Sequence, residues 1–238
     1  MIEQEVEGQL NQAERAVLVN AILEAQKPVN TVLEVGTWLG GGSTLHFLKA
    51  LEQKGTGRLL GIEADKEIFE RMVANLTQVA PDLFKRFVPL LGFSGDVIRE
   101  MVQREGPSFR VDVAFLDGGN NPGEQIEEFQ LLDPIIPVGG RLLSHDAKLR
   151  KGKWLVPYVS ALDNWESELL DISMQGLFKA VKTKDAPSEE SKRRASRVLM
   201  RCRMEPAEIA AALLPASVCG KILGFLPKRV ADRLANGV

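Results

Sequence analysis

The chain has 238 residues, 45% of them hydrophobic and 26% charged, enough for one α/β domain with a full core. A formal net charge of -2 supplies no global field for nucleic acid or an anionic membrane, so neither is expected as a partner. Two cysteines, Cys202 and Cys219, lie outside any Cys/His cluster, which argues against a zinc site or a disulfide framework.

In chain order, the opening MIEQEVEGQL is acidic and polar, unlike a signal sequence, and no apolar run reaches a membrane span. A cytoplasmic location is expected. Residues 9–26 carry Leu10, Ala13, Val17, Leu18, Ala21, Ile22 and Ala25 at helical spacing, and Pro28 ends the segment. TVLEVG (31–36) reads as a buried strand closing in glycine, followed by a glycine-rich loop and a helical stripe from Ser43 to Leu51. GRLLGIEAD (57–65) is a second strand ending in acids, and Phe69, Met72, Val73 and Leu76 mark the next helix. FVPLLGFSGD (87–96) is a third strand and loop, with Val97, Ile98, Met101 and Val102 opening a helix. VDVAFLDGG (111–119) is the fourth strand. Residues 124–136 are helical, with Ile126, Phe129, Leu132 and Ile135 inward, until Pro137 and Gly139-Gly140 break the pattern. RLLSHD (141–146) is the fifth strand.

Five strands alternating with helices predict an α/β fold with a mostly parallel twisted sheet and helices on both faces. In such sheets ligands bind outside the carboxyl ends of the strands, so the polar residues there carry the chemistry. Beyond residue 147, KLRKGKW is a basic loop, and Val156–Glu166 reads as helical. LLDIS (169–173) and LFKAVKT (177–183) fit closing antiparallel strands around Gly176. The domain then runs over 1–183, with 184–194 a charged linker and 195–238 a helical tail interrupted by Pro206, Pro215, Gly220, Gly224 and Pro227. Such a tail is expected to pack on the core, to join two copies into a homodimer through helical termini, or to lie on a membrane surface as an interfacial helix, the mixed basic and acidic residues favouring the first two.

Three motifs carry candidate ligand contacts. In LEVGTWLGGGST (33–44), glycines allow close backbone approach and positive φ, and Ser43 and Thr44 suit the start of a helix. Trp38 stands where the dinucleotide fingerprint has its second glycine, which suits a nucleoside ligand without a pyrophosphate. Gly36, Thr37, Trp38, Gly40 and Ser43 form the expected contact loop, with Glu34 meeting an amino group. In LLGIEAD (59–65), Glu63 can accept from both ribose hydroxyls, and Asp65 suits a helix cap. In LLGFSGD (90–96), Phe93 can lie on an adenine face and Ser94 can address its edge, while Asp96 reads equally as a helix cap.

These motifs, with FLDGGNNP (115–122) and PVGGRLLSHD (137–146), resemble the class I S-adenosylmethionine (SAM)-dependent O-methyltransferases, particularly the catechol O-methyltransferase-like group and its bacterial relatives. The similarity covers roughly residues 30–150. It implies a Rossmann-like SAM-methyltransferase fold with an antiparallel closing strand, SAM as methyl donor and a small-molecule hydroxyl as acceptor. In metal-dependent members, carboxylates at the ends of strands four and five hold a divalent ion such as Mg²⁺, and Asp117 and Asp146 match those positions. Asp117 would also contact SAM. The group's third metal ligand falls on Ala147, and its general-base lysine falls on Asn120.

His145, beside Asp146, offers a general base instead, with a pKa suited to taking a hydroxyl proton. Three alternatives stay open: His145 as base, a metal on Asp117 and Asp146, or neither. Adjacent strand residues point to opposite faces, so only one of His145 and Asp146 is expected in the pocket if the strand continues. The basic loop of Lys148, Arg150, Lys151 and Lys153 with Trp154 is either a cover that meets an anionic acceptor or a solvated surface loop. A nucleotide-binding oxidoreductase and a non-catalytic scaffold of the same fold are the competing functions.

Overall fold

The computed structural model describes residue 6 and residues 8–205. Its elements run α1 (Gln12–Leu23), β1 (Thr31–Val35), α2 (Thr44–Lys54), β2 (Arg58–Glu63), α3 (Lys66–Val79), α4 (Pro81–Phe84), β3 (Phe87–Leu91) and α5 (Ser94–Glu105). They continue with β4 (Val113–Leu116), α6 (Pro122–Leu132), β5 (Arg141–His145), α7 (Gly152–Ser160), β6 (Trp165–Leu170), β7 (Leu177–Lys182) and α8 (Glu189–Arg203). One seven-stranded sheet has the order β3-β2-β1-β4-β5-β7-β6. The first five strands pair in parallel, and β7 pairs antiparallel with both β5 and β6. This is the expected Rossmann-like methyltransferase fold with its antiparallel closing strand. The chain reverses direction across the sheet between β1 and β4, which makes that junction the switch point.

Burial on both faces explains the continuous apolar strands. β1 is buried at every position. Leu33, Val35, Ala114 and Leu116 face one core with α5, α6, α7 and α8, while Val32, Val113 and Phe115 face another with α1, α2 and α3. Local capping sets the helix starts. Asn11 and Glu14 form a reciprocal capping box on α1. Asp65 accepts from the Glu67 and Ile68 amides at the start of α3, as its position predicts. Asn121 caps α6, with Pro122 in its first turn. Among the described residues, no helix is long and apolar enough to cross a membrane.

Two elements depart from expectation. The helix read over Val156–Glu166 is α7, which ends at Ser160, and Trp165 already opens β6. Trp165 packs edge-on against Phe129 at 5.7 Å and donates from Nε1 to Asp133, so tertiary anchoring carries it into the sheet. Helix α8 starts at Glu189, inside the stretch read as a linker. Ser188 caps it, and the Ser188 amide and Ser191 hydroxyl both donate to Asp163, fixing its start to the domain. Ala195 and Leu199 bury its apolar stripe in the core. The remainder of the expected helical tail, residues 206–238 with Cys219, lies outside the described residues, as does any pairing of copies through it.

Candidate active site

The end of β1 is pressed against the end of β4. Gly36 has φ +84°, and a Cβ there would lie 2.4 Å from the Asp117 carbonyl oxygen, so only glycine fits. The chain then turns through Trp38, a bulky residue at φ 50°. The Trp38 amide donates to Glu63 Oε2 at 3.1 Å, which anchors the turn across the switch point. The resulting cavity of about 440 Å³ is lined by Gly36, Trp38, Glu63, Phe93, Ser94, Asp117, Asp146 and Lys151, among others. A larger groove of about 650 Å³ lies between α1 and the antiparallel strands, along Arg141, Glu166 and Lys179. The smaller cavity is the candidate site because it opens at the strand carboxyl ends beside the switch point.

Six of the expected ligand contacts therefore meet in one space: Gly36, Trp38, Glu63, Phe93, Ser94 and Asp117. Thr37, Gly40 and Ser43 shape the loop from behind: all three are buried, and the Gly40 amide donates to the Thr37 carbonyl. Glu34 does not reach the cavity. It is fully buried and accepts from the Ser43 hydroxyl, which is why Ser43 makes no capping bond to α2. Burial, acting against that hydrogen bond, pushes the Glu34 carboxyl up to about 8. Glu63 also accepts from the Ala64 and Asp65 amides at 3.0 and 3.2 Å. Phe93 is 75% exposed. Ser94 donates at 2.5 Å to Glu128, whose carboxyl burial pushes up to about 7. Asp96 sits in the first turn of α5 and pairs with Arg99; Phe93, not Asp96, holds the capping position.

At the other end of the cavity, β5 stops at His145, and Asp146 turns the chain with φ 54°. Strand alternation no longer applies, and both side chains bring an atom within 4.8 Å of an Asp117 carboxylate oxygen. His145 Nδ1 lies 3.2 Å from Asp117 Oδ1 and 3.4 Å from Asp146 Oδ1, while Nε2 lies 3.1 Å from Glu14 Oε1 on α1. Burial opposes charge on this ring, but Asp117, Asp146 and Glu14 outweigh it and raise the pKa. An acid faces each ring nitrogen, so neither nitrogen is turned toward the cavity for a substrate proton. His145 is also 6% exposed and does not line the cavity. The geometry opposes the base role and makes His145 the tie between α1 and the strand ends.

The sequence reading misplaced one residue of consequence. Lys151, grouped with a basic loop, is buried with its side chain 3% exposed, and its Nζ lies 2.7 Å from Asp117 Oδ1 and 2.9 Å from Asp146 Oδ2. Burial would lower its pKa, yet the two carboxylates hold it above the ordinary lysine value. The signal lay in the next residue. A Cβ at Gly152 would lie 2.4 Å from the Ala147 carbonyl oxygen, so glycine there lets the turn close and swings Lys151 inward. The neighbouring cations are also paired: Lys148 with Asp171, Lys153 with Glu205. Arg203 stacks over the Trp154 ring.

Asp117, His145 and Asp146 present ligand atoms within 4.8 Å of one another, the size of a metal site. The donors do not suit a hard divalent ion as arranged, because the Lys151 ammonium already takes Asp117 Oδ1 and Asp146 Oδ2 and the His145 ring stands against Asp117 Oδ1.

The family model for a methyltransferase domain matches residues 33–147. No curated protein matches the sequence. Among solved structures, a putative O-methyltransferase from Klebsiella pneumoniae is similar with a TM-score of 0.62 and 17% identity, over 74% of this chain and 82% of that one. An O-methyltransferase from Bacillus cereus in complex with SAH is similar with a TM-score of 0.57 and 18% identity, over 74% and 83%. A SAH-bound methyltransferase from Podospora anserina gives a TM-score of 0.57 and 11% identity, over 74% and 80%. Strand order and the loop at the switch point agree with the domain match: residues 33–147 are similar to a methyltransferase domain, and the chain has the Rossmann-like fold of the similar methyltransferase structures.

Proposed function

We propose that the chain binds SAM in the cavity at the ends of β1, β2 and β4 and transfers its methyl group to a hydroxyl oxygen of a small molecule. The observation that carries this reading is Glu63. Its carboxylate stands on the cavity wall at the end of β2, fixed by three backbone amides, as a ribose diol requires. Phe93 offers an open ring for the adenine, and Asp117 stands at the transfer end. The SAH bound in two similar structures supports the donor, and their being methyltransferases supports the reaction. Lys148, Lys151 and Lys153 each meet a carboxylate, which favours a neutral hydroxylated acceptor over an anionic one. A cytoplasmic setting belongs to the same reading, supported by two cysteines that sit in no pairing or metal-binding pattern.

Transfer itself is an in-line displacement at the sulfonium methyl carbon. The protein contributes positioning and a water-poor cavity. The test is calorimetric titration with SAM and with NAD, followed by methyl transfer to a panel of hydroxylated compounds. SAM binding that weakens by about ten- to a hundredfold in Glu63→Ala is expected, from loss of charge-assisted bonds to the diol. Binding of NAD in place of SAM would overturn the reading. SAM binding without transfer to any acceptor would leave a scaffold.

A further inference from the structure

We propose that the Lys151 ammonium is the resident cation of the transfer site, standing where Asp117 and Asp146 would otherwise hold a divalent ion, so that the chain works without one. The inference rests on the methyl-transfer reading above. An ammonium has three protons to donate, and each has an acceptor: Asp117 Oδ1 at 2.7 Å, Asp146 Oδ2 at 2.9 Å and the Gly118 carbonyl at 3.4 Å. The group is saturated and withdrawn from solvent. It is also fixed by the backbone. The Leu149 amide donates to the Asp146 carbonyl and the Gly152 amide to the Leu149 carbonyl, closing the turn that carries it.

A dication needs the same two carboxylates and commonly retains several waters. Placed there, it would touch the ammonium, and like-charge repulsion at that distance in a buried site costs orders of magnitude in affinity. The His145 ring also stands against these acids, with Nδ1 3.2 Å from Asp117 Oδ1 and 3.4 Å from Asp146 Oδ1. Ala147 brings no further ligand atom to the strand end. The cation this site needs to keep two acids side by side is therefore supplied by the chain. Lys151 lines the cavity and acts by placing Asp117 and Asp146 and by setting the local charge, a positioning role.

The experiment titrates Mn²⁺ into the full-length chain and follows the free-ion electron paramagnetic resonance signal. Methyl transfer is measured alongside, with and without a chelator. The wild type is expected to leave millimolar Mn²⁺ free and to keep its activity in chelator. Lys151→Ala is expected to open one stoichiometric Mn²⁺ site, which Asp146→Asn in the same background removes. Lys151→Met, of similar length and uncharged, replaces it should the alanine variant not fold. Stoichiometric Mn²⁺ binding by the wild type, lost in Asp146→Asn, would overturn the inference. So would loss of wild-type activity in chelator, or a folded Lys151 variant that gains no Mn²⁺ site. Failure here is separate from failure of the donor assignment, because SAM binding is read independently by calorimetry.

Discussion

Glu34→Gln tests whether a fully buried acid under the glycine loop is neutral in the folded protein. Burial raises its pKa from 4.5 to about 8, so between those values the folded chain holds a proton that the unfolded chain releases. The sign follows from proton counting. The contribution is full below the unfolded pKa, falls as pH rises and levels off once pH passes the folded value. The slope approaches about 1.4 kcal/mol per pH unit, so stability falls by roughly 2–3 kcal/mol between about pH 5.5 and about pH 7.5 through this group alone. Glutamine keeps an oxygen for the Ser43 hydroxyl and does not titrate. Glu128, raised to about 7, contributes with the same sign in both proteins and cancels in the comparison. Urea denaturation at four pH values gives the two slopes. The variant is expected to lose its share of the decline, whatever constant offset the amide introduces. Parallel wild-type and variant curves would show Glu34 ionised in the folded state and refute the reasoning.

Gly36→Ala meets both positive φ and a 2.4 Å overlap with the Asp117 carbonyl, and is expected to cost more than about 2 kcal/mol in urea denaturation. Gly55→Ala is its control: φ is +73°, nothing lies within 4 Å of the added methyl, and only about 1 kcal/mol is expected. His145→Gln removes the imidazole that ties Glu14 on α1 to Asp117, and a loss of about 2 kcal/mol in stability is expected from the broken contacts to two carboxylates. A variant that keeps wild-type stability but loses hundredfold or more in kcat would restore His145 as base.

What was legible in the sequence were features set by the residue and its immediate neighbours. Gly36, Glu63 and Asp65 sit at strand ends and helix starts, where backbone geometry and hydrogen-bonding needs are local. Glu34 misleads because β1 is buried on both sides, so an acid near its end can face the protein as readily as the ligand. The Glu14–His145 contact spans 131 residues in sequence and exists only once α1 docks, so no local pattern announces it. Lys151 was hidden by its company. Charge clustering suggests a solvated face, and only the glycine after it marks the tight turn that buries this one lysine.

The two positive-φ residues other than glycine, among those described, are Trp38 and Asp146, and both line the cavity. Each such position costs on the order of 1–3 kcal/mol and persists only where surrounding contacts determine it. Those contacts are visible. Glu63 holds the Trp38 amide, and Lys151 holds the Asp146 carboxylate. Both turns follow a strand of the sheet, one after β1 and one after β5, and each depends on a nearby glycine that no larger residue can replace. The same two anchors, Glu63 and Lys151, are the groups assigned to the donor and transfer ends. The charge at each end of the cavity, one facing the donor and one placing the acids, thus also holds the strained backbone there, so removing either one should loosen a turn and the chemistry together. Loop and charge form one preorganised unit, which suits a displacement reaction whose rate depends chiefly on fixed geometry.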